Sequence, residues 1–409
     1  MKNNDALYFG VTRFSVYSPK SSGWNLSSQY SERDYIDNLY SDERLSARFD
    51  IFINYSLPIY ASYAEKYSYR HIVIYSEEMP YVWKEKLYKA ASKFPFVCLC
   101  KSEEGIYDIS GFMKKLVQEQ AKSSCLVLQF RVDDDDVLSS EYIDELSKYA
   151  SKSFVGMSVS FGSGIAAKYR ENVFTNFRSV RKHFLALGLA TVGEYDKHKE
   201  ELWFPDSLNK NHIETDLYRP VIVDSRKPVY IWTHHDFQDT DAKSPKDSVN
   251  SRLLSYKPLS DNSSCIHSFP TLSNDYAKYR SDAVIVYSLG SSVASEDGMV
   301  KFSAVDMSSP GLYKIDYSFY LSSPLRMNSR GLVLCLAKSE EVSVEGMSLS
   351  KRKDIGWFKY VSVGSERVFG ECEFYLRSGV GDDGVLYLKR WGYQGEFLVD
   401  QFSVRYLGR

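Results

Sequence analysis

The sequence predicts a two-domain protein, an α/β domain over residues 1–240 followed by an all-β sandwich or jelly roll over residues 277–409. In the first part, short apolar runs alternate with amphipathic segments, which is typical of βα units around a mainly parallel sheet. In the last part, apolar residues recur with period two, which indicates short strands without helices. Between them, residues 241–276 are rich in Ser, Asp, Lys and Pro, which indicates a linker or long surface arm.

Six apolar runs are the predicted strands of the first domain: residues 7–16, 71–75, 96–99, 125–132, 154–161 and 229–233. Segments with apolar residues at helical spacing are the predicted helices: residues 32–63, 81–94, 109–121 and 141–149. Proline interrupts intrahelical hydrogen bonding, so we expect the first helix to end or kink near Pro58. Ser139 or Ser140, followed by Glu141, predicts a helix N-cap.

The composition of the chain disfavours some classes of function and indicates its cellular compartment. Charged residues make up 25% of the chain and the formal net charge is -2, which disfavours nucleic acid as a partner. The six cysteines include no CxxC pair, which favours buried thiols in a reducing compartment. The sequence shows neither a secretory leader nor the roughly 18 apolar residues that a spanning helix needs. We therefore expect a cytoplasmic protein, at most peripheral at the inner face of the membrane.

Four consecutive aspartates, at residues 133–136, directly follow the apolar run CLVLQFRV. Open α/β sheets bind ligands at the carboxyl ends of their strands, and a hard cation would relieve the repulsion between these carboxylates. The run therefore indicates a Mn²⁺ or Mg²⁺ site that bridges protein and diphosphate. In an extended chain Asp134 and Asp136 share one side, so we favour these two as ligands, with Asp135 as a third. The alternative is a solvated acidic loop that caps the following helix.

A histidine pair, His234 and His235, ends another apolar run in the same predicted domain. A neutral imidazole is a metal ligand that complements carboxylates. Taken alone, adjacent histidines are more often surface or turn residues. Together with the acidic run, they indicate that a histidine completes the metal site.

The residues of the first domain resemble the bacterial putative rhamnosyltransferase family, which has a glycosyltransferase A-type (GT-A) nucleotide-sugar fold. The resemblance covers residues 5 to about 240 and rests on FGVTRFSVYSP, RFDIFINYSLP, RHIVIYSEEMPYVWKEKL, LQFRVDDDDVLSSEYIDEL and THHDF. It implies a metal and diphosphate role for the acidic run, with Asp133 counted among the cofactor-binding residues. It also implies nucleotide contacts from Thr12 and Arg13, and a supporting metal role for His235.

Further candidates come from residue chemistry. Arg13 ends the first predicted strand, where a guanidinium suits a diphosphate, although an ordinary ion pair explains it equally well. Arg131 either faces the cavity or pairs with an aspartate. Inverting transfer needs a general base near the acceptor hydroxyl, and Glu194, in a predicted loop, and Asp236 are the candidates. The sequence does not distinguish inverting from retaining transfer.

The last domain resembles β-sandwich carbohydrate-binding modules. Trp357, Tyr375, Trp391 and Tyr393 offer rings for sugar stacking, although core packing is the commoner role of such residues. We select Trp391 and Tyr393, which flank glycines, as an exposed pair.

We therefore predict a metal-dependent glycosyltransferase that moves a sugar from a nucleotide-sugar donor to a cell-surface polysaccharide or glycolipid. Its expected partners are that donor, a glycan or lipid-linked glycan acceptor, and other polysaccharide-assembly proteins. The alternative is a noncatalytic glycan-binding or assembly protein with a structural cation site.

Overall fold

The computed structural model describes residues 3–18, 32–103, 105–205, 212–235, 249–259, 264–323, 329–337, 343–352, 355–380 and 385–408. The chain divides into two compact units: unit 1 comprises Met1–Lys246 and Tyr256–Tyr276, and unit 2 comprises Asp247–Ser255 and Ala277–Arg409. The segment 241–276, for which the sequence predicts a linker, therefore contributes residues to both units. In the described ranges, no helix combines the length and the apolar character needed to cross a membrane.

Unit 1 contains thirteen strands in the residues that the structure describes. They are β1 (Asn3–Phe14), β2 (Tyr67–Ser76), β3 (Val97–Ser102), β4 (Cys125–Arg131), β5 (Val137–Leu138), β6 (Ser158–Phe161), β7 (Ser163–Arg170), β8 (Val173–Arg181), β9 (Leu189–Asp196), β10 (Glu201–Trp203), β11 (Val221–Asp224), β12 (Tyr230–His234) and β13 (Lys257–Pro258). The α-helices of both units, within the described residues, are α1 (Glu32–Leu39), α2 (Asp42–Asp50), α3 (Leu57–Lys66), α4 (Tyr81–Lys93), α5 (Ile109–Gln120), α6 (Tyr142–Ser147), α7 (Val249–Leu254) and α8 (Ser273–Ser281).

The larger sheet of unit 1 has the strand order β11-β6-β9-β4-β1-β2-β3, and β10 pairs with β9. Strands β3, β2, β1 and β4 are parallel, whereas β9 runs antiparallel to both β4 and β6. The sheet is therefore mixed. Buried side chains of β1, including Leu7, Phe9 and Val11, pack in one apolar cluster with side chains of β2 and α5. Each predicted strand overlaps an observed one, but the sequence does not predict β5, β7 to β11 or β13.

The second sheet of unit 1 has the order β13-β8-β7-β12-β5. Strand β5 begins immediately after the acidic run, and it pairs antiparallel with β12, which ends at His234. This pairing brings the end of β12 beside the acidic run. The sheet thus explains how residues about a hundred positions apart come to share one site.

The predicted helix over residues 32–63 is divided in the structure. Helices α1 and α2 are separate, and a π-helix at Ile51–Ser56 joins α2 to α3. The helix does not end near Pro58, because the π-helix passes directly into α3 and Pro58 lies in the first turn of α3. The predicted serine N-cap is also wrong: Glu141 occupies the cap position of α6, and Ser140 instead donates to the carbonyl of Ser268.

Unit 2 is built from eleven strands in the described ranges. They are β14 (Val284–Ser288), β15 (Val293–Ala294), β16 (Met299–Phe302), β17 (Gly311–Leu321), β18 (Ser329–Ala337), β19 (Val344–Glu345), β20 (Ser348–Leu349), β21 (Trp357–Val363), β22 (Arg367–Leu376), β23 (Val385–Arg390) and β24 (Phe397–Tyr406). They form two antiparallel sheets, β14-β24-β17-β22-β19, with β15 on β24, and β16-β23-β18-β21-β20. Both sheets contribute to one apolar core, as the alternating pattern predicts.

The aromatic pair selected in the sandwich is only half right. Trp391 is 44% exposed, and its ring lies parallel to that of Phe358. Tyr393 is only 2% exposed, and its hydroxyl bonds to Ser322 and to the backbone of Glu396. Tyr393 therefore anchors a loop of the sandwich and offers no surface to a sugar.

Candidate functional site

The candidate site lies where β1 and β4 end side by side. Val11 of β1 pairs with Arg131 of β4. The amide of Val132, the residue that follows β4, donates to the carbonyl of Val11 at 3.1 Å. Asp133 is two residues beyond Arg131, and Arg13, two residues beyond Val11, still pairs with Ile74 of β2, so both residues lie at the same edge of the sheet. We call Arg13, Arg131 and Asp133 the β1–β4 edge.

The four aspartates form a turn rather than a continued strand. The amide of Asp136 donates to the carbonyl of Asp133 at 3.3 Å, so the side chains do not alternate between two sides. Asp134, Asp135 and Asp136 are all buried, whereas the side chain of Asp133 is 38% exposed. The run is therefore one accessible carboxylate followed by three interior ones, and each of the interior ones has protein partners.

Asp134 is held by the segment that follows β1 and by α2. One carboxylate oxygen accepts from the backbone N–H of Ser15 at 3.0 Å and from its hydroxyl at 3.1 Å. The other oxygen accepts from the guanidinium of Arg48. Ser15 has a φ of 45°, and this left-handed conformation turns the chain after β1.

Asp135 lies between Arg48 and His235. One of its oxygens is 3.0 Å from Nη2 of Arg48 and 3.1 Å from Nε2 of His235. Burial alone would raise the pKa of Asp135, but Arg48 and His235 outweigh it, so the pKa is lowered well below its usual range. Asp135 is therefore an anion that is neutralised within the protein.

Asp136 connects the turn to β12. Its Oδ1 accepts from the backbone N–H of Thr233 at 2.9 Å, and its own carbonyl accepts from the hydroxyl of Ser56 at 3.0 Å. Burial, followed by the charges of Asp135 and Asp133, raises the pKa of Asp136 well above its ordinary value. The neutral form of this carboxyl is thus favoured.

Two arginines of α2 supply positive charge beneath the turn. Arg48, only 5% exposed, bridges Asp134 and Asp135. Arg44 lies one helical turn earlier, and its Nη1 is 2.9 Å from both the hydroxyl of Ser15 and the carbonyl of Leu39. The sequence contained one signal for this pair, since Arg44 and Arg48 are four residues apart and so share a helix face with the apolar core residues Leu45 and Phe49 beside them.

The predicted metal ligands, Asp134, Asp135, Asp136 and His235, are bonded to protein groups in the structure. Across the described residues, no group of three or more His, Cys, Asp or Glu side chains is arranged to hold a metal ion. The physical reason is that Arg48 already neutralises Asp134 and Asp135, while Asp136 bonds to a backbone amide. The acidic residues come together as expected, but their common partner is a guanidinium.

The β1–β4 edge is the more accessible part of the site. Arg131 donates to Asp133 from Nη2 at 2.9 Å and from Nε at 3.3 Å, and the side chain of Arg131 is 35% exposed. Burial, followed by the neighbouring charge of Arg131, lowers the pKa of Arg13. The guanidinium of Arg13 also donates a hydrogen bond to the hydroxyl of Tyr107. Two guanidiniums thus lie close together beside one accessible carboxylate.

Thr12 lies beneath this edge and is completely buried. Its hydroxyl donates to the carbonyl of Val132 at 3.0 Å and is 2.9 Å from Nε2 of His71, which leaves His71 as the donor in that contact. The other ring nitrogen, Nδ1, is next to the hydroxyl of Tyr69. Burial lowers the pKa of His71 to about 3, consistent with this neutral arrangement. Thr12 presents no surface to a nucleotide and instead ties β1 to β2 and to the end of β4.

A family comparison decides what kind of protein carries this site. The model of a family described as putative rhamnosyl transferase matches residues 8–247, more than half of the chain. The chain belongs to this family. It is therefore a glycosyltransferase.

Solved structures resemble this glycosyltransferase distantly. TarS residues 1–349 of S. aureus, in complex with UDP-GlcNAc, is 10% identical, with 69% of this chain and 73% of that chain covered and a TM-score of 0.27. The mannosyltransferase PcManGT of Pyrobaculum calidifontis, in complex with GDP-Man and Mn²⁺, is 11% identical, with 68% and 75% covered and a TM-score of 0.28. The second cellulose-binding domain of Cellulomonas fimi β-1,4-glucanase C is 11% identical, with 30% and 84% covered and a TM-score of 0.19. A search of curated proteins found no match. Scores this low carry no argument about the chemistry of this chain.

Of the two general-base candidates of the glycosyltransferase, Glu194 lies away from the β1–β4 edge. Glu194 lies in β9 opposite Leu126, whereas Arg131, at the site, pairs with Leu189. At about 3.3 Å per residue, Glu194 is roughly 16 Å along the strand from the β1–β4 edge. The segment is an antiparallel strand and not the loop that the sequence predicts, so it does not bring Glu194 to that edge. Asp236 lies outside the described residues.

Proposed function

We propose that this glycosyltransferase takes its sugar from a nucleoside-diphosphate donor bound at the β1–β4 edge. The observation that carries the proposal is the pair of guanidiniums, Arg13 and Arg131, at the carboxyl ends of adjacent parallel strands. Ligands of open α/β sheets bind outside these ends. A guanidinium also matches the geometry of phosphate oxygens better than an ammonium does.

A GT-A-type domain is part of the proposal. Its support is the order β3-β2-β1-β4, with parallel strands and an acidic run directly after β4. In this arrangement Asp134 and Asp136 occupy an Asp-X-Asp position, but their contacts make them interior anchors of the turn. We therefore assign donor contact to Arg13, Arg131 and Asp133, and positioning roles to Thr12 and Arg48.

The proposed role of the β1–β4 edge in the reaction is electrostatic stabilisation of the leaving group. The acceptor hydroxyl forms a bond to the anomeric carbon, the bond from that carbon to the diphosphate breaks, and its electron pair leaves on the diphosphate. Arg13 and Arg131 stabilise the negative charge that develops there. The proton of the acceptor hydroxyl needs a base, and Asp136 is held in a neutral interior setting, so Asp236, next to His235 in the sequence, is our candidate.

We propose that unit 2 binds the acceptor, a cell-surface polysaccharide or glycolipid. The support is a cluster of rings on one sheet of the sandwich: Trp391 is 44% exposed, Phe358 lies parallel to it, and Tyr360 is edge-on to both. Arg330 lies over the ring of Tyr360. Flat apolar faces next to a hydrogen-bond donor suit the faces and hydroxyls of a pyranose.

A donor screen tests the proposal. The full chain is incubated with UDP-, GDP-, dTDP- and CMP-linked sugars, and nucleotide release is measured with and without polysaccharide acceptors. We expect turnover of a diphosphate-linked donor, and a loss of about 100-fold in kcat/KM for Arg13→Gln and for Arg131→Gln. Arg170→Gln, which removes an exposed arginine at the end of β7, is the matched control.

Wild-type kcat/KM in both edge variants would contradict the donor site. Turnover of only the CMP-linked sugars would contradict the diphosphate, because those donors carry one phosphate. Neither turnover nor binding of any donor, with glycan binding intact, would favour a noncatalytic glycan-binding protein instead.

A further inference from the structure

The acidic run is electrically compensated by the chain itself. Asp133 pairs with Arg131, and Arg48 pairs with both Asp134 and Asp135. Arg44 lies within electrostatic reach of Asp134 and Asp135, and Arg13 of Asp133. Four guanidiniums therefore lie around the acidic run, in which the neutral form of Asp136 is favoured because burial raises its pKa. A divalent cation added here would find no uncompensated pair of anions, the condition that makes such a cation favourable.

Arg48 also bridges two neighbouring carboxylates. It reaches one oxygen each of two successive aspartates, from a helix that is buried against the turn. The other oxygen of Asp134 accepts from the backbone N–H and the hydroxyl of Ser15. One oxygen of Asp136 accepts from the backbone N–H of Thr233. A metal would have to displace a buried guanidinium, and an unpaired charge in the interior is strongly unfavourable.

We propose that the donor site of this chain works without a divalent cation, because Arg48 holds Asp134 and Asp135 in place of a metal while Arg13 and Arg131 meet the diphosphate. The part that concerns Arg48 stands on its own contacts. The part that concerns the diphosphate rests on the proposed donor site. Arg48 is a positioning residue here, since it acts through the acidic turn and not on the substrate.

The first test titrates Mn²⁺ alone into the full chain and measures free Mn²⁺ by electron paramagnetic resonance. We expect no stoichiometric binding that depends on Asp134. Stoichiometric binding in the wild type that Asp134→Asn abolishes would overturn the proposal. Binding that Asp134→Asn leaves unchanged places the ion elsewhere and supports it.

The second test measures the Kd of UDP, GDP and dTDP by calorimetry, once with EDTA and once with excess Mn²⁺. For the nucleotide that binds most tightly, we expect the Kd to differ by less than about tenfold between the two conditions. A larger loss of affinity in EDTA would overturn the proposal. If no nucleotide binds in either condition, the proposed donor site fails, and the Mn²⁺ titration alone decides the role of Arg48.

A pair of variants gives the converse test. Arg48→Met removes the guanidinium and leaves Asp134 and Asp135 as a pair of anions, so we expect this variant to gain Mn²⁺ binding. Arg48→Lys keeps a positive charge and is the matched control, with no gain expected. A folded Arg48→Met protein that binds no more Mn²⁺ than the wild type would contradict the substitution of metal by arginine. If Arg48→Met does not fold, the two wild-type tests still decide.

Discussion

At the scale of single residues, His71 shows how a buried base is kept neutral beneath the site. It bonds to Thr12 on one side and to Tyr69 on the other, and aromatic rings of Phe52 and Tyr60 lie against it. Gly10 completes the pocket, since a Cβ there would come within 2.4 Å of Nδ1. Protonation would place a charge in this enclosure and would also remove the acceptor that Tyr69 uses.

This enclosure makes stability depend on pH in a defined direction. The folded pKa of His71 is lowered to about 3 from an ordinary 6.5, so between these values the unfolded chain binds the extra proton. The stabilisation is complete above the unfolded pKa and is lost as the pH falls from 6.5 towards 3, by at most about 1.4 kcal/mol per pH unit. Urea unfolding of the wild type and of His71→Gln at several pH values in this window measures it.

We expect the free energy of unfolding of His71→Gln to fall less steeply with decreasing pH than that of the wild type. His198→Gln removes an exposed histidine and should retain the wild-type slope. Equal slopes for His71→Gln and the wild type would show that His71 is not held neutral by the fold.

The sequence predicted which residues of the candidate site would meet, but it did not predict the contacts that these residues make. The positions of Arg13, Arg131 and the acidic run follow from where apolar strands end, and they do meet at one edge. The role of Arg48 could not follow from local pattern, because it depends on how α2 packs against a turn that lies some eighty residues away. A metal and a buried guanidinium answer the same charge requirement, and the sequence pattern does not distinguish them.

At the scale of elements, Gly188 joins the site to β9. It has a left-handed φ of 77°, its N–H donates to the carbonyl of Arg131 at 2.7 Å, and its own carbonyl accepts from the hydroxyl of Tyr142 at 2.8 Å. A Cβ there would come within 2.8 Å of the Tyr142 ring. The start of β9 and the end of β4 thus depend on a residue without a side chain.

We expect Gly188→Ala to lower the stability by about 1–3 kcal/mol, because it adds backbone strain and crowds Tyr142. The measurement is the urea unfolding midpoint of the full chain. Gly290→Ala is the control, since no atom lies within 4 Å of its added Cβ, and it should leave the midpoint unchanged. A Gly188→Ala midpoint equal to that of the wild type would contradict this role for Gly188.

The elements that the sequence predicted are those with local signals. Strands β1 to β4 are apolar on both faces, as expected for buried parallel strands. Strand β9 has no such signal, because Gly193 and Glu194 interrupt its apolar residues, and the backbone of Trp203 lies 2.4 Å from where a Cβ of Gly193 would be. Strand β8 contains Arg178, which is almost completely buried although its type suggests a surface position. Strand β9 is stabilised by pairing with β4, which is distant in sequence, and a local pattern does not show this pairing. Strand β8 pairs mainly with the adjacent strand β7.

At the scale of the whole molecule, the two units have separate hydrophobic cores and separate proposed tasks. The family match lies within residues 8–247, and every described residue of the proposed donor site belongs to unit 1. The exposed ring cluster around Trp391 belongs to unit 2. When the full chain binds the donor, amide hydrogen exchange should therefore change in unit 1 and stay the same in the core of the sandwich.

Amide hydrogen exchange of the full chain, with and without a saturating nucleoside diphosphate, tests the central claim most directly. We expect new protection in peptides that cover residues 11–16 and 131–136, because the ligand would order the ends of β1 and β4. Peptides from β17 and β22 in unit 2 serve as internal controls and should exchange at the same rate in both samples. Protection confined to unit 2, or no protection at the β1–β4 edge while the nucleotide is bound, would contradict a donor site at this edge.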